Sequence, residues 1–199
     1  MTVSNPIAPT AAAPRSTNAE VIETINAHHA ELAAQLRERT AALLAAAKHG
    51  DCGAARTALH DWYRDELMPH IVAEEDVLYS AAAELDNVRL LVSGMHSEHR
   101  ALVRLIADLA LAREPFETAL LAESAQVLFA VHLSKENELL LPALDAAGLD
   151  LAAVLDGMHE ILGSAAESSA DSGCACGCEA DAVPASAPRP LLHNLEDRR

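Results

Sequence analysis

Histidine and glutamate are the residues of this chain whose spacing can do chemistry. His70-Ile-Val-Ala-Glu74 and His132-Leu-Ser-Lys-Glu136 each set an imidazole and a carboxylate at i and i+4, about 40° apart on one helical face, so each pair can reach a single metal centre. With ten histidines and eighteen glutamates, roughly one such pair arises by chance, and the surroundings carry more weight than the pairs. His70-x-x-x-Glu74-Glu75-Asp76-Val77-Leu78-Tyr79 aligns with His132-x-x-x-Glu136-Asn137-Glu138-Leu139-Leu140-Leu141, and His29-Ala-Glu-Leu32 aligns with His99-Arg-Ala-Leu102. The chain therefore holds two tandem helical hairpins, each giving one His and then one His-x-x-x-Glu, 41 residues apart in the first and 33 in the second.

The positions three or four residues away on the same faces are largely apolar, among them Ile25, Leu32, Leu67, Leu102, Phe129 and Leu139. Four imidazoles and two carboxylates thus project into an apolar interior, where unpartnered they cost several kcal/mol each. A metal satisfies them together. Two His-rich half-sites with two glutamates suit a pair of borderline, redox-active ions, with iron the first choice and a Cys-based structural zinc site disfavoured.

Four long helices must position these groups. The first runs from about Asn18 to Lys48, with Ser16, Thr17 or Asn18 as N-cap, and stops at His49-Gly50-Asp51. The second runs from Asp51 to Glu84 and contains Pro69, which predicts a kink and a freed carbonyl near Asp65. The third covers Asp86 to Arg113 and is closed by Glu114-Pro115; the fourth covers Phe116 to Ala146 and ends at Gly148. Short connections make this an all-α, up-down-up-down four-helix bundle. A fifth, shorter helix from Leu151 to Glu167 packs across it. The expected organisation is a flexible segment over 1–16, a helical domain over 17–167 and a disordered tail over 168–199, whose Ser, Gly, Asp, Cys, Ala and Pro bury too little apolar surface to offset ordering.

Composition narrows the function. A formal charge of −16 repels nucleic acid and anionic membrane surfaces. There is no apolar stretch of spanning length and no secretory leader pattern, so a cytoplasmic protein is expected. Cys52 is alone, and Cys174, Cys176 and Cys178 crowd one pentapeptide, which forms no disulfide framework but suits a soft metal or thiol redox chemistry.

On the motifs His29-x-x-Leu32, His70-x-x-x-Glu74-Glu75, Glu98-His99-x-x-Leu102 and His132-x-x-x-Glu136, the chain resembles the hemerythrin-like, HHE cation-binding family over about Val21 to Pro142. The resemblance implies a di-iron site with Glu74 and Glu136 as bridges and His29, His70, His99 and His132 as terminal ligands. Glu rather than Asp after the fourth-helix His looks closer to the iron-sensing and iron-sulfur-repair branches than to the oxygen carriers. Those carriers have a further His four residues before the third-helix ligand. Here that place is Met95, with His96 three residues before His99. Either His96 supplies a fifth imidazole or one iron keeps an open position.

Other residues weigh less. His28 could replace His29, but the Leu32 phase favours His29. His49 sits at a helix end, His60 lies about 15 Å along the axis from His70, and His159 and His193 are surface or tail residues. Tyr79 stands about 140° from Glu74 on an α-helix, outside ligand reach unless the helix unwinds. Trp62 belongs to the core, with lining of an access pocket as the lesser alternative. Three functions remain: a di-iron protein that binds or turns over oxygen, peroxide or nitric oxide; a non-enzymatic iron or redox sensor whose stability follows metal occupancy; and a helical interaction protein with incidental zinc.

Overall fold

A computed structural model describes residues 16–170, with side chains through Leu162. Among them there is no strand, and no helix is long and apolar enough to cross a membrane. Five helical rods follow in order: α1 (Asn18–Ala47), α2 (53–83), α3 (Arg89–Leu111), α4 (115–146) and α5 (Leu151–Ala170). Thr17 caps α1 in a capping box, its side chain accepting from the Glu20 backbone while Glu20 Oε2 accepts from Thr17 N at 2.8 Å. Gly50, with φ of 79°, turns the chain between α1 and α2. Gly148, with φ of 76°, closes α4 as the left-handed residue of a C-cap, with Leu149 N donating to Leu144 O at 3.1 Å.

α1 packs against α2 and α4, and α3 against α2 and α4; α5 lies over α1 and α2. Asn18 ties the start of α1 to the α4–α5 connection, donating to Asp145 Oδ1 and Leu149 O at 2.8 Å each and accepting from Leu151 N at 3.1 Å.

Two of the rods are not uniform. In α2 the α-helical hydrogen bonding gives way to π turns at Tyr63–Leu67 and Glu74–Tyr79, and in α4 at Glu136–Leu140. The first explains how α2 accommodates Pro69: the longer i→i+5 register takes up the missing donor near the carbonyl of Asp65. Pro142 follows the α4 turn in the same way. No proline follows Glu74–Tyr79, yet it sits at the position of the repeat that matches the turn in α4.

Several expected boundaries shift. α3 begins at Arg89 rather than Asp86, because residues up to Val88 form turns. α5 continues to Ala170, past the expected end at Glu167. α spacing puts Leu139 on the buried face, but it is 54 % exposed, since the π turn that begins at Glu136 rotates it outward. The segments 1–15 and 171–199, with Cys174, Cys176, Cys178 and His193, lie outside the described residues.

The core is divided in two. One apolar cluster gathers Ile25, Leu78, Met95, Leu140 and the α5 residues Leu151, Val154 and Met158. The other gathers Leu32, Leu67, Leu102, Phe129 and Leu133. On every one of the four long helices the candidate ligands fall between these two clusters, so a polar layer is sealed above and below by hydrocarbon.

Candidate metal centre

Each imidazole reaches the layer from a different helix and is almost wholly buried: His29 from α1, His70 from α2, His99 from α3 and His132 from α4, with Glu74 and Glu136 fully covered. Their donor atoms form two groups that share Glu74. His29, His70, Glu74 and Glu136 offer atoms all within 4.8 Å of one another, and so do Glu74, His99 and His132. Glu74 Oε1 lies 2.8 Å from His70 Nε2 and 3.5 Å from His29 Nε2, while its Oε2 lies 3.4 Å from His99 Nε2. Glu136 spans the same gap, with Oε2 at 3.7 Å from His29 Nε2 and Oε1 at 3.7 Å from His132 Nε2.

These contacts do not satisfy the atoms that make them. His29 Nε2, both nitrogens of His70, both oxygens of Glu74 and Glu136 Oε2 are buried without a hydrogen-bond partner. Such a set is costly in an apolar interior, and convergent imidazole nitrogens and carboxylate oxygens are what a borderline cation binds. The residues therefore fit a metal.

The outward-facing nitrogens are fixed by residues next to the motif positions. His29 Nδ1 lies 2.7 Å from Asn137 Oδ1, His99 Nδ1 2.9 Å from Glu75 Oε1, and His132 Nδ1 3.1 Å from Glu98 Oε2. Donation to these oxygens leaves Nε2 as the inward lone pair. Two of these partners cross between hairpins, the residue after each glutamate anchoring the first histidine of the other hairpin, while Glu98 serves His132 within its own. That is the role of the acid or amide following Glu74 and Glu136. Lys135 in turn donates to Glu98.

The electrostatics of the metal-free layer follow from this geometry. His99 Nε2 and His132 Nε2 face each other at 2.9 Å, so one ring must carry an extra proton there. Burial opposes a charge on His99, but the facing carboxylates of Glu74 and Glu75 outweigh it and push the ring up to about 9. Burial and the neighbouring His99 charge depress His132 to about 4. Burial would raise Glu74, yet His70 and the facing imidazoles of His29 and His99 hold it well below the usual carboxylate range. Glu136, buried and beside Glu74, is pushed well above it.

Tyr79 is the residue that helical spacing misplaced. The π turn that begins at Glu74 adds a residue to that turn, so the side chain five positions on returns to the site's face. Its hydroxyl donates to Glu136 Oε1 at 2.5 Å and lies 3.1 Å from His132 Nε2, and its ring stacks on His99 with centroids 5.3 Å apart. The only sequence signal was positional, since Tyr79 aligns with Leu141 beyond a shared π turn.

His96 stands outside both groups, its Nδ1 3.2 Å from Glu75 Oε1 and its ring edge-on to Tyr79. Met95 belongs to the apolar cluster above the layer. His28 is exposed, with its ring centroid 5.2 Å from that of His70. Trp62 is buried and donates to Gln35 Oε1 at 2.7 Å; it does not line the cleft beside the layer. That cleft, of about 520 Å³ between α2 and α3, is walled by Ile71, Val92, Val103 and Arg100 and reaches Tyr79, His96 and His99. His49 and His159 are exposed and His60 is half-buried, none of them in the two groups.

The family model described as the hemerythrin HHE cation binding domain matches residues 20–144. No curated protein and no solved structure gives a significant match to the chain.

Proposed function

The chain belongs to the hemerythrin HHE cation-binding domain family, and from that premise we propose that it is a non-haem di-iron protein built as an up-down-up-down bundle. His29, His70, His99 and His132 serve as terminal ligands, and Glu74 and Glu136 as bridges. The observation that carries this reading is the pair of donor groups sharing Glu74: one carboxylate presents its two oxygens to two separate pairs of imidazoles, as a bridge between two ions does.

Iron held there supplies the one-electron steps by which oxygen, peroxide or nitric oxide is bound or turned over. The chain's own residues do the rest. Asn137, Glu75 and Glu98 orient three imidazoles. The Tyr79 hydroxyl holds one oxygen of Glu136. The two apolar clusters exclude water above and below, and the cleft between α2 and α3 gives a small molecule a way to the edge of the layer. With Met95 apolar and His96 engaged by Glu75, the two donor groups contain four imidazoles, which favours reaction over reversible oxygen storage. Nucleic acid and membranes are not partners of a chain carrying a formal charge of −16.

Metal analysis of protein from iron-replete cells should return two irons per chain. Stopped-flow mixing of the reduced protein should show oxidation by air without a long-lived oxygen adduct, and reaction with peroxide or nitric oxide. One zinc per chain would defeat the di-iron reading, and an adduct that releases oxygen under vacuum would restore storage. Inertness toward all three molecules would favour an iron sensor, a role supported by the number of buried atoms that lack partners without a cation.

A further inference from the structure

We propose that the two metal positions are unequal: the one between His99 and His132 holds its ion more tightly and favours the higher charge state, while the one between His29 and His70 is the exchangeable one. This rests on the di-iron reading above.

The repeat makes the comparison residue by residue, since a step of 70 residues carries His29 onto His99 and a step of 62 carries His70 onto His132. The inner donors do not favour the second position: each side has two imidazoles and reaches Glu74, the first also gathers Glu136 Oε2, and on the second side Glu136 Oε1 lies 3.7 Å from His132 Nε2 and accepts from Tyr79, so a preference for the second position comes from the outer partners.

The outer partners differ at every aligned place. His99 Nδ1 faces the Glu75 carboxylate, whereas His29 Nδ1 faces the neutral amide of Asn137. His132 Nδ1 faces Glu98, whereas the residue aligned with Glu98 is His28, and His70 Nδ1 stays buried with no hydrogen-bond partner. One step further out, Lys135 braces Glu98 and His96 contacts Glu75, while Asn26, aligned with His96, has a buried side-chain oxygen without a partner.

A carboxylate that accepts the outer N–H of an imidazole makes its inner nitrogen a better donor and fixes the ring, and the effect grows with the charge of the ion. An amide does less, and His70 is oriented by no such partner.

Titration of the metal-free full chain with cobalt(II) at fixed pH, followed by visible absorption, tests this. Two steps separated by about 10–100-fold in affinity are expected, the range that outer partners usually control. Glu98→Gln should weaken the tighter step by roughly tenfold and spare the weaker. His28→Glu and Asn137→Asp should each tighten the weaker step, drawing the two together; His28→Glu changes an exposed residue and keeps the test open if Glu98→Gln fails to fold. In the iron-loaded protein the same substitutions should narrow the gap between the two one-electron potentials. Two ions bound with equal affinity, or in a single cooperative step, overturn the proposal and leave the di-iron reading standing, as does a shift of the tighter step by His28→Glu. Fewer than two ions overturn both.

Discussion

Tyr63 and Tyr79 stand on the same helix, both fully buried, both with phenols that burial pushes upward, and they have opposite surroundings. Tyr63 lies in the apolar cluster with Leu36, Leu43, Leu59 and Trp62, and its hydroxyl has no hydrogen-bond partner. Tyr79 meets His132 and Glu136 through its hydroxyl and His99 through its ring. Burial of a polar group does not distinguish a functional layer from a packed end. Convergence does: at the layer, unpartnered atoms from α1, α2 and α4 point at one another beside the paired rings of His99 and His132, and a second ring of side chains holds them there.

The largest expected contrast comes from Glu74→Ala against Leu59→Ala. Loss of Glu74 removes the carboxylate common to both donor groups, so both ions should be lost, with affinity falling by more than the roughly 100-fold that bounds an outer partner. Leu59, fully buried in the apolar end, should cost about 2–5 kcal/mol in denaturant unfolding while metal stoichiometry in the folded protein is kept. If Leu59→Ala empties the site as well, the two regions are not separable.

Chelation should destabilise the whole molecule through the layer. A cation at a thousandfold excess over Kd contributes about 4 kcal/mol, which for a domain of this size is a Tm drop of roughly 8–16 °C on removal. A calorimetric scan unchanged by chelator would place the layer among ordinary satisfied polar cores.

Next in size is the pH dependence of the metal-free protein. His99 is raised from 6.5 to about 9, so its stabilising contribution is complete below 6.5 and is lost as pH climbs toward 9. His132 is depressed from 6.5 to about 4, so its contribution is present above 6.5 and is lost as pH falls toward 4. These two groups give a stability maximum near 6.5 with losses on both sides. Metal loading should abolish the alkaline loss, because both rings are then neutral ligands; thermal melts at several pH values, with and without metal, check this.

The smallest contrast is between the tyrosines themselves. Tyr79→Phe deletes a bond to a buried carboxyl and should cost about 1.5–3 kcal/mol, with a change in the absorption spectrum of the loaded protein. Tyr63→Phe deletes a hydroxyl that bonds to nothing and should be neutral or slightly stabilising, within about 0.5 kcal/mol. Equal costs would erase the distinction.

The sequence by itself determined the phase of the helices and hence the convergence of the four imidazoles and two glutamates. A residue at i+4 on an α-helix returns to the same face whatever lies opposite, and the caps at Thr17 and Gly148 are local backbone chemistry. The family resemblance rested on those same positions. Whatever depends on a neighbour across the bundle was decided only in the tertiary structure. Glu75 reaches His99 and Asn137 reaches His29 because two hairpins pack face to face, so their flanking acid and amide could be noticed in the sequence but not assigned partners. Tyr79 moved into the layer and Leu139 out of it because a π turn changes the angle per residue, and whether a turn widens depends on the packing it serves as well as on a following proline. His96 joined Glu75 for the same kind of reason: local spacing limits where a side chain can point, and only the packed partner fixes what it meets.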